Sequence, residues 1–366
     1  MRIAYLIGTD SWGGLELNQA KNALWMSERG HNVLLIGPAN GKLEAFCREH
    51  KLPFEAHNGH KKYYDYKAAA SISRILVAQK MEHLIIRDVR DMSVAVIAKR
   101  KAKKQFRVHY FMEMQLGVTK KNLLHTLRFR GLDTWSCPLL WLKKQVETMT
   151  HMPNERIFHI PSALDMAPFS TAHSKVEARQ TLELPEDKII LGLAGRFDPQ
   201  KGQLLLLEAL QKINDTKLCV LFLGEPTMHE GQTYVDQMME KMSEVALKDR
   251  VFIRPFRPDI AVFYTAIDAF VMASKAETVG MVTIEAMASG CPVIGSNAGG
   301  TPEILQQGKR GYLFEPLQAE SLADQIRTFL KDPNKFTANE LREAVSPFDH
   351  QLVLPEVERM ISRKLN

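Results

Sequence analysis

Along the chain, short continuous apolar runs alternate with longer stretches in which apolar residues recur at every third or fourth position. The first pattern suits a strand buried on both faces, the second an amphipathic helix. Residues 3–7 read as a buried strand, 8–14 as a loop and 15–29 as a helix ended by Gly30, with residues 33–36 as the next strand. The rhythm returns as strand 84–86, helix 92–101 and strand 106–112, and residues 157–160 read as a further short strand. Such alternation predicts a doubly wound α/β unit around a parallel sheet.

Pro161-Ser162-Ala163-Leu164-Asp165 has the turn chemistry of an interdomain connection. Beyond it a second series begins, with strands at 189–193, 218–223, 251–253, 269–272 and 293–294 and helices at 201–213, 235–246, 281–289 and 301–307. The pattern therefore predicts two tandem Rossmann-like domains, residues 1–162 and 163–346. The tail, 347–366, is too short for a third domain, and Leu352, Val357, Met360 and Ile361 suit a terminal helix that packs back onto the first. At 366 residues the chain is longer than one core usually serves, which agrees with two domains.

Composition narrows the class further. Hydrophobic residues make up 45% and charged residues 25%, the balance of a globular protein. Cys47, Cys137, Cys219 and Cys291 are far apart and form no zinc-ligand spacing, so a reduced cytoplasm is expected. The opening apolar run is too short for a signal peptide, and no later run is long enough to span a bilayer.

The net charge of +6 hides an asymmetry. Residues 1–160 hold 26 Lys and Arg against 14 Asp and Glu, and residues 161–366 hold 22 against 28. The densest basic run is Lys99-Arg100-Lys101-Ala102-Lys103-Lys104, followed by Lys120, Lys121, Arg128 and Arg130. A solvated helix end and an anionic surface contact both account for it. Among anionic partners a phospholipid membrane fits better than nucleic acid, because no recognition motif accompanies the charge.

In open α/β sheets ligands sit beyond the carboxyl ends of the strands, where helix N-termini offer free N–H groups. In Gly195-Arg196-Phe197-Asp198-Pro199-Gln200-Lys201-Gly202, after strand 189–193, Arg196 and Lys201 are placed to converge on one anion such as a diphosphate. In the next loop, Ser274 to Gly280, Gly280 admits close approach, and the amides of Gly280, Met281 and Val282 form a helix-start anion site. Glu285, about one turn into that helix, suits a ribose diol. Glu277, before the glycine, suits the hydroxyls of a sugar. Taken singly, each of these charges reads as solvated surface; the arrangement points to a nucleotide-sugar. A third loop, Asn297 to Glu303, closes the same edge, with Glu303 an ordinary first-turn carboxylate. In the first half, Gly13-Gly14 fails the G-x-G-x-x-G pattern of a nicotinamide site but still lets a phosphate or sugar approach Gly14.

Gly195-Arg196-x4-Lys201-Gly202, Glu277-x7-Glu285 enclosing Gly280, Ala286-Met287-Ala288-x-Gly290-x-Pro292-Val293-Ile294 and Gly299-Gly300-x2-Glu303 together resemble glycosyltransferase family 4. The resemblance covers most of residues 189–315. It implies the GT-B fold, two Rossmann-like domains facing a central cleft, with transfer that retains anomeric configuration and needs no metal or other cofactor. It further implies that Arg196 and Lys201 hold the donor diphosphate, Glu277 the donor sugar and Glu285 the ribose, and that Gly224, Phe256 and Arg257 line the nucleotide pocket.

The family often carries a histidine or carboxylate at the end of a late strand of the first domain. His109 and Glu113 are the candidates here, and Glu113 is preferred because it lies nearer the strand end. The expected partners are a nucleoside-diphosphate-sugar donor, a glycan or lipid-linked acceptor of envelope polysaccharide or lipopolysaccharide synthesis, and an anionic membrane met peripherally by the basic first domain. Epimerisation or phosphorolysis on the same fold, and non-enzymatic nucleotide-sugar binding, remain alternatives.

Overall fold

The computed structural model describes residues 1–170, 174–213, 215–226 and 232–363. The chain forms two compact units: Met1–Ala163 with the segment that returns from His350, and Leu164–Asp349.

The first unit is built on seven strands, β1 (Arg2–Leu6), β2 (Asn32–Gly37), β3 (Phe54–Ala56), β4 (His83–Ile86), β5 (Arg107–Phe111), β6 (Thr134–Cys137) and β7 (Ile157–His159). Six helices connect them: α1 (Gly14–Glu28), α2 (Lys42–Glu49), α3 (Tyr66–Ala78), α4 (Asp91–Lys101), α5 (Leu123–Phe129) and α6 (Leu140–Met149). The sheet order is β3-β2-β1-β4-β5-β6-β7, every pairing parallel, with Ile3 opposite Val33 on one side and His83 on the other. Order therefore reverses between β1 and β4. Loops leaving those two strands diverge to opposite faces and open a crevice at their carboxyl ends.

The second unit repeats the plan. Its strands are β8 (Ile189–Ala194), β9 (Leu218–Leu223), β10 (Val251–Arg254), β11 (Ala269–Met272), β12 (Val293–Ser296) and β13 (Tyr312–Phe314), in parallel order β10-β9-β8-β11-β12-β13. Its helices are α7 (Ala167–Ser170), α8 (Lys175–Thr181), α9 (Gln203–Gln211), α10 (Gln232–Ser243), α11 (Ile260–Ala266), α12 (Met281–Ala288), α13 (Thr301–Ile304), α14 (Ala319–Lys331) and α15 (Ala338–Val345). Here the reversal lies between β8 and β11.

Helices α9, α10 and α13 depart most from the sequence expectation. Helix α9 starts at Gln203 rather than at 201, because Gly202 caps it in a left-handed conformation, and this leaves Lys201 in the loop. Helix α13 stops at Ile304 rather than at 307, where Gln306 and Gln307 turn to positive φ. Helix α10 covers 232–243 instead of 235–246.

A last helix, α16 (His350–Ser362), returns to the first unit. Val353, Leu354, Val357, Met360 and Ile361 join α1 and the strands β1 and β2 in one core cluster. Leu352, expected on that face, is instead exposed. The helix is also tied by charge: Arg29 Nε lies 2.7 Å and His31 Nε2 2.8 Å from Glu358 Oε1. The hydrogen bond from Arg29, opposed by partial burial and reinforced by His31, lowers the Glu358 carboxyl to about 2 from its ordinary 4.5.

A depressed folded-state pKa stabilises fully above the unfolded value and ceases to do so as pH falls through the folded one. Glu358→Gln should thus lower stability at pH 7 by about 1 kcal/mol once solvent screening at the partly exposed pair is allowed for. In denaturant melts the gap between the two proteins should be constant from pH 7 to 5 and shrink below pH 4.5. A gap that ignores pH would assign the loss to packing instead.

Candidate functional site

In the second unit the loops after β8 and β11 meet at the point where strand order reverses. Lys275 N–H donates to the Gln200 carbonyl at 3.1 Å, and Lys201 Nζ reaches Glu277 Oε2 at 2.9 Å. Ser274, buried at the end of β11, donates its hydroxyl to the same carboxylate oxygen at 3.2 Å. Glu277 Oε1 has no partner among the described residues.

Gly280 caps α12 at φ 76° and ψ 53°, a left-handed conformation that a side chain would strain. The first helical hydrogen bond is donated by Thr283 N–H to the Gly280 carbonyl at 2.8 Å, so the Met281 and Val282 amides stand ahead of it at the positive end of the helix dipole. Four residues beyond Met281, Glu285 accepts from the Tyr264 hydroxyl at 2.9 Å, which fixes its carboxylate against α11. Burial, then the charge of Glu285, holds the Tyr264 phenol well above its usual range, so it stays a donor.

The third loop is bound to the second through the backbone. Gly300 N–H donates to the Glu277 carbonyl at 2.8 Å, and Gly299 pairs with Glu277 as an isolated parallel bridge. At Gly299, with φ 62°, a Cβ would lie 2.0 Å from that carbonyl oxygen, so glycine alone permits the approach.

Arg196 is less closely held. Its side chain is exposed and lies 3.7 Å from Asp198, whereas Lys201 of the same loop is drawn to Glu277. Its backbone is fixed, however: Gln203, fully buried, donates to the Arg196 carbonyl at 2.9 Å and accepts from the Tyr234 hydroxyl at 3.2 Å. Beyond β9 and β10 lies a cavity of about 320 Å³ lined by Phe197, Gly224, Pro226, Met238, Ile253 and Pro255. Gly195 begins the loop beside it, with its amide bonded to the Leu223 carbonyl. Phe256 is exposed, and Arg257 is held by both oxygens of Asp259 at 2.6 Å. Neither lines this cavity.

In the first unit Gly14 stands exposed at the start of α1, with open space where a Cβ would project. Two expectations are corrected. His109 is fully buried in β5, its ring nitrogens 3.0 Å from His83 Nδ1 and 2.8 Å from Thr134 Oγ1, so it belongs to the core and cannot reach a ligand. Glu113 does lie just past β5, but its carboxylate faces Arg87 Nη1 at 2.5 Å and the Ser162 hydroxyl at 3.1 Å, which makes it a tie between the ends of β4, β5 and β7. Burial pushes its pKa up, against the pull of Arg87 and Ser162.

Residues that the sequence pattern did not single out complete this edge. His60 Nε2 lies 2.8 Å from Asp91 Oδ1, both side chains buried, and the other oxygen of Asp91 lies 3.5 Å from the Gly8 amide. Among the described residues no cluster of three or more His, Cys, Asp or Glu is arranged to hold a metal ion. None of the described helices is long and apolar enough to cross a membrane.

Comparison with known proteins gives the site a context. The family described as Glycosyl transferases group 1 matches residues 174–346. D-inositol 3-phosphate glycosyltransferase 1 of Catenulispora acidiphila is 31% identical over 192 residues, which are 50% of this chain and 46% of that protein. The chain spans about half the length of the curated relatives it matches. Among solved structures, Anabaena HepE in complex with UDP and glucose has a TM-score of 0.85 at 23% identity, covering 100% of both chains. The apo form of the lipopolysaccharide outer core galactosyltransferase WaaB has a TM-score of 0.77 at 16% identity, again covering 100% of both chains. At these identities the likeness shows the fold, two parallel-sheet α/β domains of the GT-B kind. The matched segment contains Lys201, Glu277, the start of α12 and Glu285, and over it the chain is similar to the Glycosyl transferases group 1 family.

Proposed function

We propose that this protein is a retaining glycosyltransferase that moves a sugar from a nucleoside-diphosphate-sugar to a hydroxyl of a glycan or lipid-linked acceptor, in the synthesis of envelope polysaccharide or lipopolysaccharide. The observation that carries the reading is the Lys201–Glu277 pair beside the left-handed start of α12, at the reversal point of the second sheet.

An ammonium has three donors, and Glu277 occupies one of those on Lys201. The others suit oxygens of a diphosphate seated on the Met281 and Val282 amides, and Arg196, exposed on its fixed loop, adds a second cation to the same anion. The unpartnered oxygen of Glu277 suits a sugar hydroxyl on one side, and Glu285, braced by Tyr264, a ribose on the other. The cavity beside Gly224 suits the base.

As the glycosidic bond breaks, negative charge grows on the leaving diphosphate, where Lys201 and Arg196 stabilise it. The departing phosphate oxygen takes the proton of the acceptor hydroxyl on the same face, which keeps the anomeric configuration and requires neither a protein nucleophile nor a metal. UDP bound by Anabaena HepE and the lipopolysaccharide substrate class in the WaaB name agree with this reading. The basic first unit is assigned to peripheral contact with an anionic membrane on its cytoplasmic face.

Three outcomes test the proposal. In a thermal-shift panel of nucleoside diphosphates and their sugars, at least one donor should raise the melting temperature, since a ligand of the native state stabilises by mass action; a flat panel would remove the donor. Lys201→Ala should cut transfer by about 100-fold, the size of effect seen when one preorganised donor to a developing oxyanion is lost, while the melting temperature stays within a few degrees. Unchanged turnover would take the diphosphate role from Lys201. Glu277→Ala should abolish the extra stabilisation given by the sugar nucleotide over the free diphosphate and spare the shift given by the diphosphate itself. Equal loss of both shifts would break that division of roles.

A further inference from the structure

A feature that the donor site does not use lies in the first unit. Tyr63, Tyr64 and Tyr66, ahead of and at the start of α3, face α4 and α5 across a cavity of about 420 Å³. Its walls are apolar, with Leu124 and Leu127 of α5 and both Tyr64 and Tyr66 left largely exposed. Arg100 and Lys101 stand on its rim and Arg128 on its floor.

Arg128 is the informative residue. It is 6% exposed, so its guanidinium has lost most of its water, yet no carboxylate pairs with it among the described residues. One nitrogen donates to the Val89 carbonyl at 2.6 Å, the guanidinium lies 5.1 Å from the Tyr63 ring, and Nε is buried with no partner. A buried cation without a counter-charge is costly, and an anion entering the cavity would relieve that cost.

The surroundings have the same sign. Residues 99–130 contain ten Lys and Arg and a single acid, Glu113, which Arg87 already neutralises. Burial, then Lys120, Arg128 and Lys62, holds the His125 imidazole below its ordinary range. An anionic head over Arg128 with apolar chains against Leu124 and Leu127 satisfies both halves of the cavity. Inorganic phosphate would leave the leucines and tyrosines wet, and a zwitterionic lipid would bring its choline cation against Arg100 and Lys101.

We propose that this cavity is a discrete site for one anionic phospholipid of the bilayer, its phosphate on Arg128 and its acyl chains along the exposed leucines of α5. The inference rests on the membrane-contact part of the function proposed above and not on the donor reading. It differs from diffuse attraction to a basic surface, because it requires an apolar wall as well as charge and fills with one lipid per chain.

The test uses the full chain with vesicles of phosphatidylcholine alone and of phosphatidylcholine mixed with phosphatidylglycerol, and with soluble dihexanoyl phosphatidylglycerol. Cosedimentation should require the anionic lipid, and the soluble lipid should bind with one-to-one stoichiometry. Leu127→Asp should weaken both by at least about 10-fold, whereas Lys103→Glu with Lys104→Glu, on the same basic run but off the cavity, should weaken binding of the soluble lipid less than about 3-fold. Arg128→Gln should behave as Leu127→Asp; should that variant fail to fold, Leu127→Asp decides alone.

Equal binding to neutral vesicles, equal effects of the two sets of substitutions, or displacement of the soluble lipid by an equal concentration of inorganic phosphate would each overturn the proposal. Donor-induced thermal shifts measured on the same variants separate the two readings. Lost lipid binding with an intact shift leaves the transferase standing, and the converse leaves this site standing.

Discussion

In a parallel sheet every strand ends on the same edge, so every loop that follows a strand opens there. This constraint governs both units. Where strand order reverses, two such loops turn to opposite faces, and the gap between β8 and β11 is where Lys201, Glu277 and the start of α12 come together. The side chains are 76 positions apart in sequence and 2.9 Å apart in space because their two strands are neighbours in the sheet. Replacing the topology while keeping the loop sequences would scatter them.

Two ion pairs of the second unit show how context divides structural from functional charge. Asp268, ahead of β11, accepts from Arg179 at 2.7 Å and from the Ile190 amide at 2.6 Å through one oxygen, and meets Lys175 through the other. Both of its oxygens are committed, and Arg179 is buried and also donates to the Ala266 carbonyl. That pair braces α8 against the sheet. Glu277 and Lys201 are both partly exposed, a setting in which an ion pair adds little to stability, and one oxygen of the carboxylate is uncommitted. A pair that contributes little to folding yet is placed by three backbone contacts among loops is better understood through what it faces.

How much of this was legible depended on where the information lay. Strands β9 and β11 match their expected limits, 218–223 and 269–272, because they are continuous apolar runs, each preceded by a charged residue, Lys217 and Asp268. Strand β6, Thr134-Trp135-Ser136-Cys137, carries no such signal: two of its four residues are hydroxylic, yet all are buried, and Thr134 bonds to His109. Strands β3 and β13, three residues each, do not stand out from their flanks in the sequence.

The site divides in the same way. Gly280, Met281, Val282 and Glu285 are legible because they share one loop and one helix. Tyr264 on Glu285, Arg87 on Glu113 and His60 on Asp91 are not, because each partner comes from a different loop and the pairing follows from sheet order rather than from spacing. Arg196 and Lys201 share a loop, yet side-chain direction separates them, since Asp198 and Glu277 draw them to different partners.

The chain leaves the first unit after Ala163 and comes back at His350, and the two connecting segments run side by side, with Leu164 N–H bonded to the Phe348 carbonyl at 2.8 Å. Five residues of the final helix then fill the interior beneath α1. The first unit to be synthesised is consequently the last to be completed: while the ribosome still holds residues beyond 350, the apolar faces of β1, β2 and α1 lack their cover. The second unit, continuous in sequence, has all its strands beforehand and is free to fold ahead of the unit that encloses it in the chain.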